Sequence, residues 1–207
     1  MKTISFRPAR SEDHVKGARL VMETLHQFGV YLFGFGNEEL AYQALESFFE
    51  LPRNRFSFQF AEFAIFDYEI AGILMTFNRR QMHKSASATA FQMLRVYRVK
   101  QIGQFLKRML PYQDEENIPQ DELYIAHLAV GELFRRQGIG LLMLERAEKK
   151  ARDHGLPKLS LLTEIENSAA RTLYEKFGFV VMEEILFPEQ MPYTGSKGDV
   201  RMVKILA

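Results

Sequence analysis

The sequence predicts a protein of the α/β class, of the α+β type, in which one layer of β-strands is flanked by helices. Apolar segments of strand-like composition alternate along the chain with segments whose apolar residues recur at helical spacing. One strand-like segment, at 122–130, leads through a short glycine loop into a helical segment at 141–154. With 207 residues and 47% hydrophobic composition, the chain suits a single domain, which we place at residues 1–207.

Turn residues and hydrophobic spacing place the elements of the first half. Ser11, Glu12 and Asp13 supply a cap and an acidic first turn, so a helix follows the first strand. A second helix begins at Asn37 and is terminated by Pro52. The predicted order is a strand at 3–7, a helix from 11, a loop at 28–36, a helix at 37–50, and strands at 56–66 and 70–77 joined by a hairpin turn at 67–69.

A helical insertion is predicted at 79–118, between the third and fourth strands. Apolar residues recur at helical spacing around Phe91 and again around Phe105, which indicates one or two amphipathic helices. Residues 79–110 contain basic but no acidic residues, and acidic residues follow at 114–116. After the insertion we expect strands at 122–130, 159–163, 179–186 and 200–205, and helices at 141–154 and 167–177.

The glycine loop at 135–140, which we call the donor loop, predicts an anion site. Its glycines let the backbone approach a ligand closely, and the first N–H groups of the next helix have no intrahelical partner. The helix dipole adds positive potential there, so phosphate or pyrophosphate fits. The spacing of Gly138 and Gly140 matches neither the dinucleotide fingerprint nor the P-loop.

A second motif lies at 167–179 and predicts a short amphipathic helix. Asn167 is a good N-cap, and Gly178 stands where a helix ends in a left-handed residue. Ala170, Leu173, Tyr174 and Phe177 fall on one face of the helix between them.

Together, the two motifs resemble the GNAT superfamily of N-acetyltransferases. The donor loop is similar to its R/Q-x-x-G-x-G/A signature, and 167–179 is similar to its N-x-x-A-x-x-L-Y-x-x-x-G-F element. The resemblance implies a GNAT fold, with a central, twisted, mixed but mostly antiparallel sheet flanked by helices. It also implies acetyl-coenzyme A as the donor and a primary amine of a small molecule or protein as the acceptor, with direct transfer between them.

The resemblance assigns roles to individual residues. Backbone groups of Leu128 and Val130 would hold the pantetheine arm, and Asn167 would contact the pantetheine or diphosphate. Tyr174 would point its hydroxyl at the thioester sulfur, and a tyrosine with an ordinary pKa of about 10 can donate a proton to a departing thiolate. The pyrophosphate would be held by the backbone of Arg135, Arg136, Gln137, Gly138, Ile139 and Gly140, with Leu141 closing the loop.

The general base is predicted on the strand before the donor loop. Glu122, Tyr124 and Ala126 share one face by the alternation of a strand, and the family commonly places its proton-relay groups on that face. Ala126 stands where many relatives carry a polar side chain, so we favour Glu122 or Tyr124 acting through water. His127 should point the other way unless a bulge intervenes.

Composition limits the other classes of function. A net charge of +1 argues against a nucleic-acid partner, and the absence of cysteine excludes disulfides, thiolate metal sites and an acyl-cysteine intermediate. We expect no metal and no membrane segment, and place the protein in the cytoplasm. Homodimer formation stays open.

Two alternative functions and the role of the insertion stay open. The fold could serve as an acyl-coenzyme A sensor or interaction module without acceptor turnover. The absence of a polar side chain at Ala126 favours this alternative. The basic insertion could instead bind RNA or the ribosome. Within an acetyltransferase, its basic residues at 79–110 could favour an anionic acceptor or border the coenzyme phosphates, or form a solvated face whose apolar side packs or dimerises.

Overall fold

The computed structural model describes residues 4–112 and 118–206, so Thr3 and the acidic residues at 114–116 lie outside the described parts. The strands are β1 (Ile4–Pro8), β2 (Ala61–Phe66), β3 (Glu69–Phe77), β4 (Glu122–Val130), β5 (Lys158–Glu164), β6 (Val180–Leu186) and β7 (Gly198–Ile205). The helices are α1 (His14–Gly34), α2 (Glu38–Glu50), α3 (Arg79–Val96), α4 (Val99–Met109), α5 (Ile139–Asp153), α6 (Ser168–Phe177) and α7 (Met191–Thr194).

The strands form one seven-stranded sheet in the order β1-β2-β3-β4-β5-β7-β6. The neighbours β4 and β5 are parallel, and every other neighbouring pair is antiparallel. The mixed, mostly antiparallel sheet expected from the sequence is therefore confirmed.

The two parallel strands stay paired only over their first residues. The pairs run from Glu122 with Lys158 to Ile125 with Leu161. Beyond this point, in the described chain, β5 pairs with β7 alone and the following residues of β4 pair with β3 alone. A gap in the middle of the sheet results, and backbone groups on the facing edges of β4 and β5 are left for another partner.

Each face of the sheet carries its own apolar core. One core packs residues of α1 and α2, such as Phe33 and Phe48, against β2 and β3, and α3 and α4 close over it. The other core packs Met143 and Leu144 of α5 and Tyr174 of α6 against the opposite face. The gap between β4 and β5 connects the two faces.

The predicted helical insertion is present as α3 and α4, and its two helices follow the predicted apolar spacing. Asn78 caps α3 by accepting a hydrogen bond from the backbone N–H of Gln81 at 2.9 Å, and the Gln81 side chain accepts in return from the Asn78 N–H. This reciprocal cap explains why the helix begins directly after β3.

Two sequence predictions in the first half are wrong. Residues 28–34 are the last turns of α1 rather than a loop, because they bury Leu32 and Phe33 in the core and a kink at His26, with φ of 46°, redirects the helix. The strand expected at 56–66 begins only at Ala61. A 3-10 turn precedes it, because the Ser57 hydroxyl accepts a hydrogen bond from the Gln59 N–H at 3.2 Å and so favours the turn over a strand.

Candidate functional site

The donor loop ends at the N-terminus of α5, as the sequence predicts. Gly138 is the N-cap and has φ of 80°, a left-handed conformation that favours glycine. A Cβ added at Gly138 would meet nothing within 4 Å, so the backbone there faces open space. No described side chain caps the helix, and its first N–H groups remain available to an anion.

Close packing and one arginine hold the donor loop in place. A Cβ on Gly140 would lie 3.1 Å from Cδ2 of Leu173, so a glycine there lets α5 approach α6. The Arg135 guanidinium donates through Nε to the carbonyl oxygen of Val130 at 3.0 Å and pairs with the Glu23 carboxylate at 2.9 Å. The Arg135 side chain is thus engaged with β4 and α1, and its backbone N–H donates to the carbonyl oxygen of Glu132 at 3.3 Å.

The other residues of the donor loop divide into exposed and buried. Arg136, Gln137 and Leu141 are exposed, and Arg136 has φ of 59°. Ile139 is buried in the core, which anchors the first turn of α5. The main chain, rather than these side chains, is the part of the donor loop that could hold a pyrophosphate.

A cavity of about 500 Å³, which we call the central cavity, opens where β4 and β5 diverge. It extends from α6 and the two strands to α1, α3 and α4 on the other face of the sheet. Its volume falls in the range of small-molecule sites. Its apolar wall includes Leu25, Phe28, Met82, Met93, Phe105 and Met109.

The insertion covers the central cavity with its apolar side. Met82, Thr89 and Met93 of α3 and Phe105 of α4 line it. Among the described residues, none of the basic side chains at 79–110 belongs to this lining. The structure therefore supports a solvated basic face and gives no support to an acceptor pocket made anion-selective by the insertion.

Tyr174 closes the end of the cavity that lies nearest the donor loop. Its side chain is 7% exposed, and its ring packs against Phe179 with centroids 5.9 Å apart. No hydrogen bond to its hydroxyl comes from residues 4–112 or 118–206, although the residue lines the cavity. Burial raises the pKa of Tyr174 to about 12, so the hydroxyl is protonated near neutral pH and acts as a donor.

Other predicted coenzyme-binding residues meet at the same place. Asn167 lines the cavity and caps α6, since its Oδ1 accepts from the Ala170 N–H at 3.2 Å. Its amide nitrogen is the part left for a ligand. Leu128 also lines the cavity, whereas Val130 lies outside the lining and its carbonyl oxygen accepts from Arg135.

The structure separates the two predicted base candidates. Tyr124 lines the cavity. Glu122 is 3% exposed and does not line it, because its carboxylate accepts a short hydrogen bond from the Arg201 guanidinium of β7. This ion pair gives Glu122 a structural role at the paired end of β4 and β5.

A β-bulge turns His127 toward the cavity. Met75 pairs with His127 and Thr76 with Ile125, which leaves Ala126 as the extra residue. The sequence predicts that His127 points away unless a bulge intervenes, and this bulge is present. Its ring lies 5.8 Å from that of Phe56 and its Nδ1 lies 2.6 Å from Oγ1 of Thr24 in α1.

His127 is neutral at physiological pH. The residue is 7% exposed, and burial lowers the pKa of its imidazole to about 4. An imidazole without a proton on one nitrogen presents a lone pair to whatever occupies the cavity.

Two carboxylates line the cavity where β5 pairs with β7. Glu164 of β5 and Asp199 of β7 are register partners and both line it. Burial, and then repulsion by Glu164 and Glu166, raises the pKa of Asp199 to about 6. No cation from the described residues forms an ion pair with either lining carboxylate, so a positively charged ligand group would be favoured here.

Arg55 adds one buried positive charge to the cavity lining. Burial lowers the pKa of its guanidinium to about 10, and its backbone N–H donates to the Thr89 hydroxyl of α3 at 3.0 Å. The cavity lining thus holds one cation beside the insertion and two carboxylates at β5 and β7.

Sequence reasoning did not find Thr24, Arg55, Glu164 or Asp199. These residues come from four separate segments, and only the folded sheet brings them around one cavity. For His127, in contrast, the sequence contains one signal. Ala126 followed by His127 interrupts the alternation of an otherwise apolar strand.

The described chain has neither a metal-binding cluster nor a membrane-spanning helix. In residues 4–112 and 118–206, no group of His, Asp and Glu side chains is arranged to hold a metal ion. No helix in the same parts has both the length and the apolar character of a membrane span.

Curated relatives match the region of the two motifs. N-alpha-acetyltransferase 30 of Saccharomyces cerevisiae is 40% identical over 62 residues, which are 30% of this chain and 35% of that protein. Mycothiol acetyltransferase of Jonesia denitrificans is also 40% identical over 62 residues, which are 30% of this chain and 19% of its own. These matches thus span about a fifth to a third of the relatives' lengths.

Solved structures match the whole fold. An N-acetyltransferase from Staphylococcus aureus Mu50 superimposes with a TM-score of 0.74 at 20% identity, over 96% of this chain and 99% of the other. The PaiA N-acetyltransferase of Thermoplasma acidophilum, solved in complex with coenzyme A, gives a TM-score of 0.55 at 14% identity, over 98% and 99% of the two chains.

The model of the acetyltransferase (GNAT) family matches residues 28–179. This range contains the donor loop, the gap between β4 and β5, and the whole of the second motif. The chain belongs to the GNAT family of acetyltransferases.

Proposed function

We propose that the protein transfers the acetyl group of acetyl-coenzyme A directly to the primary amine of a small molecule. GNAT proteins use acetyl-coenzyme A, which is why the donor is assigned. The buried hydroxyl of Tyr174 carries the proposal, because it lacks a partner in the described chain and opens into the central cavity. A thiolate leaving group would supply that partner.

The donor would lie across the gap between β4 and β5. Its pyrophosphate would occupy the donor loop at the N-terminus of α5, and its pantetheine arm would run past Asn167 and Leu128. The acetyl thioester would then enter the cavity beside Tyr174. No step requires a covalent acyl-enzyme, since an amine can attack the thioester itself.

The cavity also suggests what kind of acceptor enters it. A volume of about 500 Å³ under α3 and α4 suits a small molecule more than a protein surface. Glu164 and Asp199 would attract an ammonium group, while the aromatic and methionine side chains would hold an apolar body.

Acceptor-dependent release of coenzyme A tests the proposed function. Because the chain has no cysteine, a thiol reagent reports free coenzyme A without a background signal from the protein. We expect release to exceed hydrolysis with at least one class of amine in a panel of monoamines, diamines, arylamines and amino-terminal peptides, and mass spectrometry to show the acetylated product.

An acyl-coenzyme A sensor is the competing function. It would bind acetyl-coenzyme A tightly by calorimetry and release no coenzyme A above the hydrolysis rate with any amine class. Release with peptides alone would instead move the acceptor from small molecules to proteins.

A further inference from the structure

We infer that His127 is the catalytic group that accepts the proton from the attacking amine, through Nε2, and that Thr24 holds it in the required tautomer. This inference rests on the proposed acetyl transfer and adds a residue to the same site. It starts from one hydrogen bond whose direction can be assigned.

The hydroxyl of Thr24 settles the tautomer of His127. Thr24 donates its hydroxyl proton to the carbonyl oxygen of Val21, one turn earlier in α1, at 2.7 Å. A hydroxyl has a single proton, so its oxygen can only accept in the 2.6 Å contact with His127 Nδ1. His127 therefore carries its proton on Nδ1, and Nε2 presents a lone pair.

Nε2 is the nitrogen of His127 that is left for the central cavity, because Nδ1 is held by Thr24. His127 is 7% exposed and lines the cavity, and no described residue hydrogen-bonds to Nε2. Nε2 is therefore left to accept from a ligand group that enters the cavity. The following residue, Leu128, lies on the stretch of β4 assigned to the pantetheine arm, so Nε2 stands beside the thioester.

Acetyl transfer moves one proton to His127 and one proton from Tyr174. The neutral amine nitrogen forms a bond to the acetyl carbon, and one N–H proton passes to His127 Nε2. The carbon–sulfur bond breaks, and the Tyr174 hydroxyl donates its proton to the leaving thiolate. Solvent then takes the proton from His127 and returns one to Tyr174, leaving an amide and free coenzyme A.

Burial of His127 limits when this proton can move. Because its pKa is lowered to about 4, the imidazole does not deprotonate a free alkylammonium, whose pKa is about 10.4. It accepts the proton once the nitrogen has bonded to the acetyl carbon and its N–H has become acidic. The amine must therefore enter as the neutral base, and kcat/KM should rise with pH along the titration of the amine.

Other ionisable groups line the cavity and contribute to the dependence of kcat/KM on pH. They are Glu23 and His26 on α1, Arg55, Tyr112, Tyr124 on β4, Glu164 on β5, Tyr174 on α6 and Asp199 on β7. Among the described lining residues, α3 and α4 supply no ionisable side chain. Measuring kcat/KM against pH with two acceptor amines of different pKa distinguishes these groups from the amine. Only the part of the pH dependence that is due to the amine shifts when the acceptor is changed.

Nitrogen-15 NMR of histidine-labelled protein tests the tautomer without turnover. Near neutral pH we expect signals of a neutral imidazole with its proton on Nδ1 that disappear in His127→Phe. The variant assigns them, because Nδ1 of His14 and of His154 also lies against a backbone carbonyl oxygen. A proton on Nε2, or an imidazolium, would overturn the inference.

Kinetics with the best amine of the panel test the catalytic role. We expect His127→Phe to lower kcat by about 100-fold with little change in the KM for acetyl-coenzyme A. His83→Phe is the matched control, since His83 is exposed on α3 and lies outside the cavity lining. Thr24→Val should lower kcat strongly, and Thr24→Ser, which keeps the hydroxyl, should lose much less.

The outcomes separate this inference from the proposed function. Turnover that survives His127→Phe, or equal losses in the two Thr24 variants, would overturn the role of His127 alone. A wild-type protein that transfers acetyl to no amine would overturn the proposed function and the role of His127 with it.

Discussion

Replacing Tyr174 with phenylalanine should lower activity and leave the fold at least as stable. The substitution removes only the hydroxyl, and the ring keeps its packing against Phe179 at 5.9 Å. General acid catalysis is worth roughly 100-fold or more. We therefore expect kcat to fall by about 100-fold, which corresponds to about 2.7 kcal/mol in the activation free energy.

The stability of the same variant gives an independent check. No hydrogen bond from the described chain reaches the Tyr174 hydroxyl, and this side chain is 7% exposed, so phenylalanine loses no protein partner. The free energy of unfolding should stay equal or rise by up to about 1 kcal/mol. Coenzyme A release and urea unfolding measure the two quantities. Unchanged kcat in a single-turnover experiment, or a clear loss of stability, would refute the reasoning.

Three further substitutions test other parts of the site. Gly138→Ala places a Cβ at φ of 80°, which should destabilise the fold by about 1 kcal/mol and weaken the binding of coenzyme A measured by calorimetry. Gly155→Ala is the control, because it carries similar strain at φ of 65° beyond the other end of α5 and should leave coenzyme A binding unchanged. Burial and neighbouring carboxylates raise the pKa of Asp199 from 3.8 to about 6, so the folded state binds more protons than the unfolded state between these values and stability falls as pH rises through them. Asp199→Asn should raise the free energy of unfolding at neutral pH by as much as about 3 kcal/mol, a gain that disappears below about pH 4 in urea titrations. Glu122→Gln weakens the pair with Arg201 and should cost about 2 kcal/mol of stability, and a large fall in kcat instead would support the base role expected from the sequence.

The order of strands and helices could be predicted because local signals mark it. Asn167 and Gly178 cap α6 at the two ends that their residue types indicate, and the apolar spacing of the insertion yields α3 and α4. These signals act within one or two helical turns, so the folded environment does not change them.

The central cavity could not be predicted, because its parts are distant in sequence. Ala126 followed by His127 interrupts the alternation of β4, but this interruption does not specify an extra residue, and the bulge decides where His127 points. Tertiary packing likewise turned 28–34 into helix, since burial of Phe33 outweighs the glycines around it. The single-domain boundary at 1–207 and the cytoplasmic location stay predictions.

A crystal structure with a non-hydrolysable acetyl-coenzyme A analogue tests the central claim most directly. We expect the pyrophosphate on the N–H groups at the start of α5, the pantetheine in the gap between β4 and β5, and the atom that replaces the thioester sulfur within hydrogen-bonding reach of the Tyr174 hydroxyl. An analogue bound away from the donor loop, or with its acetyl group outside the central cavity, would contradict the account.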